Sequence, residues 1–393
     1  MDKGNWTYRK LGEICDFERG LTYSKNDESP IPTENSVFRS NNVDLDSKQI
    51  VLDDLKYLVP DFYIPDSKKV RPNTILICMS NGSMQHVGKV AHIEKKYGSA
   101  FGGFMGLLIP KQECLSKYLF YFLNSSTYRH FLISIANGIN ITNLKFSDLR
   151  NLNLPVPPLS IQQRIVAELD CISTILEKKR QQLKELDNLA QAIFYDMFGD
   201  PVENEKGWEV KKLGEIGELS RGVSKHRPRN APELLGGTMP LIQTGDVSNS
   251  GMYITEYNST YSDIGVKQSR VWQKGTLCIT IAANIGKCSI LTFEACFPDS
   301  VVGFIPFEYA CVEYMYFVFG AIQKMLENNA MGVAQKNINL GILNQLSLAL
   351  PPLSLQQSFA AKIEAIEKQK ERISQSIKEV QTLFDSRMEV YFG

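Results

Sequence analysis

The chain of 393 residues carries one ordered set of marks twice, and this repeat limits its fold more than any other feature. Trp6-Thr-Tyr-Arg-Lys-Leu-Gly-Glu-Ile14 returns as Trp208-Glu-Val-Lys-Lys-Leu-Gly-Glu-Ile216, and Glu18-Arg-Gly20 returns as Ser220-Arg-Gly222, both at an offset of 202. Further on, Asn151-Leu-Asn-Leu-Pro-Val-Pro-Pro-Leu-Ser-Ile-Gln-Gln163 returns as Gln345-Leu-Ser-Leu-Ala-Leu-Pro-Pro-Leu-Ser-Leu-Gln-Gln357 at an offset of 194. Gly138 and Asn143 answer Gly332 and Asn337 at that same offset of 194. The second interior is therefore shorter by eight residues. Matching edges around interiors that differ in length and sequence describe a common frame holding two different readers.

Each copy has the same order of parts. Short β-type runs such as Thr74-Ile-Leu-Ile-Cys78 and Thr276-Leu-Cys-Ile-Thr280 are separated by Gly, Asn, Ser and Pro turns. An apolar, aromatic helix candidate follows at residues 115–131 and 311–326. Pro155, Pro157 and Pro158, like Pro351 and Pro352, cannot lie inside a helix, whereas Ser160 and Ser354 can cap the long helix that comes next.

That helix shows a heptad seam in both copies. In the first, Ile165, Leu169, Ile172, Leu176, Leu183, Leu186, Ala190, Ile193 and Met197 fall on steps of four and three, with Lys179 the one polar occupant. In the second, Phe359, Ile363, Ile366, Ile373, Ile377, Val380, Phe384 and Tyr391 do the same, interrupted by Lys370 and Arg387. Such a seam needs a partner helix. With one helix after each domain, an antiparallel pair lets the chain turn back through the second domain. The expected fold is α+β: two similar mixed α/β domains separated by a long antiparallel two-helix coiled coil, a pseudo-two-fold internal repeat. The expected boundaries are residues 1–155, 156–200, 201–350 and 351–393, with each helix roughly 35 residues, or about 50 Å, long.

Catalytic motifs are missing. There is no GxxxxGK[ST] phosphate loop and no GxSxG elbow. Phe101-Gly-Gly-Phe-Met-Gly106 lacks GxGxxG spacing and reads as a turn beside a strand. The Pro-Pro turns have Val156 and Leu350 where an amino-methyltransferase needs a polar acceptor. Asp61, Asp66 and Lys68 have the letters of a nuclease site, but the two acids lie too close in sequence, and the second copy has no counterpart. The four histidines do not sit beside cysteines at zinc spacing, so no metal site is expected. No apolar run approaches membrane length. The N-terminal residues lack the apolar core of an export signal, and the eight cysteines form no framework, so reduced thiols and a cytoplasmic location are expected.

Four polar clusters occupy equivalent places in the two interiors. Tyr23 and Lys25 answer Lys225, Arg227 and Arg229, while Arg39 and Asn41 answer Gln243 and Thr244. Asn81 and Lys89 answer Asn284 and Lys287, while Asn140, Asn143 and Lys145 answer Gln335, Lys336 and Asn337. Arg, Lys, Asn and Gln can bond base edges in the major groove, and Ser, Thr and Lys suit phosphates. Different side chains at equivalent positions are what readers of two different sequences require. Against this stands the balance of 43 basic and 43 acidic residues, since a protein that binds DNA alone usually has a basic excess. A partner that shares the DNA would reconcile the two. The competing reading is a helical protein-interaction scaffold without DNA readout.

Two W-x4-LGEI starts, two variable interiors, two PPLS-x-QQ junctions and two heptad helices closely resemble the specificity subunit of a bacterial type I restriction-modification enzyme. The resemblance covers essentially the whole chain. It implies that each interior is a target recognition domain reading one half of a split double-stranded DNA sequence. It also implies two methyltransferase subunits docked on helices and domains, and motor-nuclease subunits beside them. Adenine-N6 methylation with S-adenosylmethionine and ATP-dependent cleavage with magnesium would belong to those partners, so this subunit is expected to be non-catalytic and to hold no cofactor. The chain runs to Gly393 soon after the second helix. Little length is therefore expected for closing that end back onto the N-terminal domain.

Overall fold

The computed structural model describes residues 6–135, 143–282, 284–331 and 340–393. The ends of each repeat are stitched together. Thr7–Lys10 pairs antiparallel with Asn153–Val156, and Glu209–Lys212 pairs antiparallel with Ser347–Leu350. The repeated LGEI letters form a one-turn helix behind each first strand, Leu11–Ile14 and Leu213–Ile216, with both apolar residues of each buried. The backbone N–H of Leu11 donates to Leu152 and that of Leu213 to Leu346, each at 2.8 Å. The marks that recur in the sequence are thus the two jaws of one clasp, far apart in the chain and adjacent in space.

Between the jaws lies the interior. In the first copy one antiparallel sheet runs Cys15–Arg19, Met105–Pro110, Thr74–Cys78, Val90–Ile93, and a second sheet runs Glu28–Ser29, Lys56–Leu58, Ser36–Phe38, Ala100–Phe101. Thr74–Cys78 is buried throughout, as its unbroken apolar run requires. In the second copy a five-stranded sheet runs Gly217–Arg221, Val301–Pro306, Leu277–Thr280, Cys288–Leu291, Tyr253–Ile254.

The expected helix at residues 115–131 is two helices, Ser116–Phe122 and Ser126–Ile135. The break has a local cause: Ser125 Oγ donates to the carbonyl of Phe122 and accepts from the N–H of Tyr128, offering the backbone partners outside the helix. The second copy keeps one helix, Val312–Met331.

The junction motif has a structural reason. Gln162 is 0% exposed: its Oε1 accepts the N–H of Leu115 at 2.9 Å, and its Nε2 donates to the carbonyls of Glu113 and Pro157, each at 2.9 Å. Gln356 repeats this, accepting from Cys311 at 2.8 Å and donating to Pro351 at 2.8 Å and Tyr309 at 3.3 Å. Tyr118 and Tyr314 add hydroxyl bonds to the carbonyls of Pro155 and Ala349 at 2.8 and 2.7 Å.

The long helices are α1 (Leu159–Phe198) and α2 (Leu353–Phe392), 40 residues each and so longer than expected. Both start directly after the Pro-Pro pair, so Ser160 and Ser354 lie in the first turn and are not caps. The chain divides into two compact units, residues 1–180 with 375–393, and residues 181–374, so each unit takes part of both helices. Within the first unit Glu168 meets Arg387 and Arg180 meets Gln381, an antiparallel order. Within the second, Asp187 meets Lys370 and Phe194 meets Phe359, again antiparallel.

The seam residues Ile165, Leu169, Ile172, Leu176, Phe359, Ile363 and Ile366 are buried, while Leu183, Leu186, Ile193, Ile373, Ile377, Val380 and Phe384 are half-buried. Two of the three polar breaks are paired: Lys370 reaches Asp187 and Glu367 at 2.7 Å, and Arg387 bonds Glu168, whose carboxyl is held below its ordinary range by that guanidinium. The end of α2 also corrects an expectation. Tyr391 and Phe392 are buried in the first unit's core, Phe392 against Tyr118 at 5.3 Å, and Ser126 Oγ donates to Glu389 at 2.8 Å. The short remainder suffices because the helix itself makes the contact.

Replacing Gln162 with leucine strands two carbonyls and one N–H, and each buried unsatisfied group costs about 1–3 kcal/mol. Urea unfolding should show Gln162→Leu destabilised by at least ~2 kcal/mol and Gln163→Leu, at the exposed neighbour, within ~0.5 kcal/mol of the parent.

Candidate nucleic-acid interface

In the first unit a cleft of about 980 Å³ collects side chains from places far apart in the chain. Thr22 and Tyr23 follow the Arg-Gly turn, Arg39, Ser40 and Asn41 follow the strand Ser36–Phe38, and Ser80 and Asn81 follow Thr74–Cys78. All three groups sit just past strand ends, where the backbone leaves the sheet and side chains are free to face outward. A smaller cleft of about 220 Å³ shares Ser80 and the turn 103–105 with the first and adds Arg19 and Asn143, whose backbone bridges to Ser80. Members of all four clusters in the first copy therefore line two clefts that share a wall.

The groups are held in place. Asn81 Nδ2 donates to Ser40 Oγ at 2.9 Å and its Oδ1 accepts the N–H of Ser83 at 2.9 Å. Arg39 Nη2 donates to Asp54 Oδ2 at 3.0 Å, and Asn41 Nδ2 donates to that same oxygen at 2.6 Å. Asp54 is itself 78% exposed, so two donors from one loop converge on an acceptor that stands in solvent. Arg39 Nε is buried and has no partner. Burial pushes the Tyr23 phenol up, so it remains a neutral donor.

Other expected residues fall elsewhere. Lys89 is a correction: it is buried, its ammonium donates to the carbonyl of Val43 at 2.7 Å, and desolvation holds it below the usual lysine range. It supports the fold, because its long stem can reach an inward carbonyl that no nearer donor satisfies. Lys25 and Lys145 are exposed and start short turns outside the cleft lining. Asn140 lies outside the described residues, as do Gly138, Gly332, Gln335, Lys336 and Asn337.

In the second unit Arg227 and Arg229 meet at Asp299, at 3.7 and 2.5 Å. Lys225 is exposed, with its N–H on Gln268 at 2.6 Å. Gln243 is exposed and Thr244 half-buried at the start of the helix Thr244–Asn249. Asn284 is exposed with φ +48, while Lys287 lines a separate cavity of about 930 Å³ beside Asp187 and Lys370. The nuclease letters do not assemble: Lys68 Nζ donates to Glu18 at 2.6 Å and to the carbonyl of Arg19, and Asp66 pairs with Lys69.

Sequence reasoning missed Asp54, and it read residues 101–106 as a turn beside a strand without placing that turn at the cleft. Asp54 has φ +52, a conformation set by its loop, and nothing in the sequence pairs it with Arg39. The signal for the turn's close packing against the first strand was the recurrent Arg-Gly. A Cβ on Gly20 would lie 1.9 Å from the carbonyl oxygen of Gly102, and one on Gly222 would lie 2.2 Å from that of Phe297, so only glycine admits this turn.

The model of the type I restriction modification DNA specificity domain matches residues 3–187 and again 205–382. The EcoKI specificity subunit of Escherichia coli K12 is 24% identical over 390 residues, covering 92% of this chain and 82% of that one. The MjaX specificity subunit assigned in Methanocaldococcus jannaschii is 23% identical over 402 residues, covering 96% and 92%. Among solved structures, the S subunit of a type I system from M. genitalium has a TM-score of 0.59 at 16% identity, covering 99% of this chain and 96% of that one.

Lys89→Met should remove the donor that Val43 needs and lower stability by about 1–3 kcal/mol. Arg39→Ala, at a half-exposed pair, should change it by less than ~1 kcal/mol. Thermal unfolding of the two variants side by side checks this separation of the buried lysine from the half-exposed arginine.

Proposed function

We propose a function on the premise that this chain belongs to the type I restriction modification DNA specificity family, whose model spans both repeats. It is a DNA-sequence-recognition subunit, and in our reading each interior reads one half of a bipartite site. The observation that carries this is the convergence of Arg39 and Asn41 on one exposed acceptor oxygen, inside a cleft that also holds Tyr23 and Asn81. Asp54 supplies an acceptor that DNA can replace. Arginine suits the paired acceptors of guanine, and asparagine suits the acceptor and donor of adenine. Arg227 and Arg229, gathered on Asp299, are the corresponding candidates in the second interior. Tyr23, Lys25, Asn143 and Lys145, with Lys225, Gln243, Thr244 and Asn284, surround these as candidate base or phosphate contacts.

Acid-paired readers also account for a DNA-reading chain with no basic excess. Each contact exchanges one partner for another, so affinity is modest and partners contribute the rest. In this reading two methyltransferase subunits dock on the polar faces of α1 and α2, and motor-nuclease subunits join them in the cytoplasm. S-adenosylmethionine, ATP and magnesium are used on those subunits and not on this one.

The helices are the element proposed to set the number of unread bases between half-sites. Removing residues 178–184 together with 372–378 takes seven residues from each helix, about 10 Å at 1.5 Å per residue. With DNA rising about 3.4 Å per base pair, mapping of methylated adenines in cells should show the unread spacer shortened by about three base pairs. An unchanged spacer defeats this role. Exchanging residues 20–150 for those of another family member should alter one half-site only, and Arg39→Ala and Asn41→Ala should each cost about 1–3 kcal/mol of discrimination at that half. Duplexes bound equally well whatever their bases would instead support a scaffold without DNA readout.

A further inference from the structure

Phe104 stands at the tip of the turn 102–105, which is closed by the N–H of Met105 donating to the carbonyl of Gly102 at 2.8 Å. The turn is braced on both sides. The carbonyl of Phe104 accepts the N–H groups of Met79 at 2.8 Å and Ser80 at 3.2 Å, and Gly20 lets the opposite flank press in. The backbone under Phe104 is therefore fixed, yet its ring is 73% exposed, while Phe101 and Met105 on the same turn are buried. The ring borders both clefts, between the one holding Arg39, Asn41 and Asn81 and the one holding Arg19 and Asn143.

The frame does not require an aromatic here. In the second copy the same turn is closed by Val301 N–H on Pro298 at 3.0 Å and braced by Ile281 N–H on the carbonyl of Ser300 at 3.2 Å. The residue at the position of Phe104 is thus Ser300, and a corresponding turn is held without a ring. An exposed phenylalanine leaves the gain from burying its ring unclaimed, and here it is surrounded by donors suited to base edges.

From this we infer that Phe104 packs its ring against a nucleobase of the half-site read by the first interior and is a specificity-determining residue of that interior. The inference rests on the DNA-reading function proposed above. Two contacts share this chemistry: insertion of the ring beside a base that has lost its stacking neighbour, and apposition of the ring to the C5-methyl of thymine. The polar neighbours favour DNA over a protein partner, whose apolar contact would need an apolar surround.

The test uses the full chain assembled with its methyltransferase partner. Phe104→Ser installs the residue found in the second copy. Its melting temperature should match the parent, because the ring is exposed. In duplex competition it should lose about tenfold or more of its discrimination at the first half-site and none at the second. Scanning that half-site with 2-aminopurine should reveal a position that brightens with the parent and not with Phe104→Ser, which marks insertion. Alternatively, replacing one thymine by uracil should weaken the parent and leave Phe104→Ser unchanged, which marks methyl contact. Discrimination retained by Phe104→Ser within about twofold, or both probes silent, overturns the inference. So does a loss of methyltransferase assembly in place of a loss of discrimination. Arg39→Ala run in parallel separates the two levels. If it loses first-half discrimination while Phe104→Ser keeps it, only the role of Phe104 fails. If both variants keep it, the reading of the cleft fails as well.

Discussion

Gln162 and Gln356 each place one buried amide where three backbone groups from two segments would otherwise have no partner. One segment is the Pro-Pro turn that launches a long helix, and the other is the loop that leads into the apolar helix of the domain. In a buried site such groups must be satisfied or the turn cannot close, so the amide sets where α1 and α2 leave their domains. The clasps Thr7–Lys10 with Asn153–Val156, and Glu209–Lys212 with Ser347–Leu350, depend on that closure, because their second strands run directly into the turns. Beyond the loop and apolar helix that these amides and Tyr118 or Tyr314 engage, the segments between the jaws are free to differ.

The seam follows a second rule. An apolar seam alone is indifferent to orientation, whereas charged occupants satisfy one pairing only. Lys370 finds Asp187 in one unit and Arg387 finds Glu168 in the other, and both pairs exist only if the helices run antiparallel. Lys370 is 19% exposed, and misplacing it would leave it only Glu367 of its own helix and take away Asp187, a cost set against any alternative register. The interruptions that spoil the heptad as a pattern are what select its geometry.

The acid-paired side chains of the two interiors follow a third. Arg39 and Asn41 are held by Asp54, and Arg227 and Arg229 by Asp299. Exposed pairs of this kind contribute little to stability, but they hold donors in a fixed direction and offset part of the positive charge. Under the function proposed above, sequence preference rests on geometry at the base edge and less on attraction to the backbone.

Much of this was legible in the residues. The repeat, the α+β order of parts and the heptad register with its polar breaks follow from spacing and residue type, because these depend on neighbours in sequence. Lys89 could not be sorted from Arg39 that way, since burial depends on what a distant loop places above it. Nor could the partnership of Arg39 with Asp54, the exposure of Phe104 beside the buried Phe101, or the return of Tyr391 and Phe392 to the first domain. Local propensity and periodicity are properties of a segment and can be read along the chain. Which donor meets which acceptor, and which ring is left facing water, is decided only when segments separated by tens to hundreds of residues close into one packed surface.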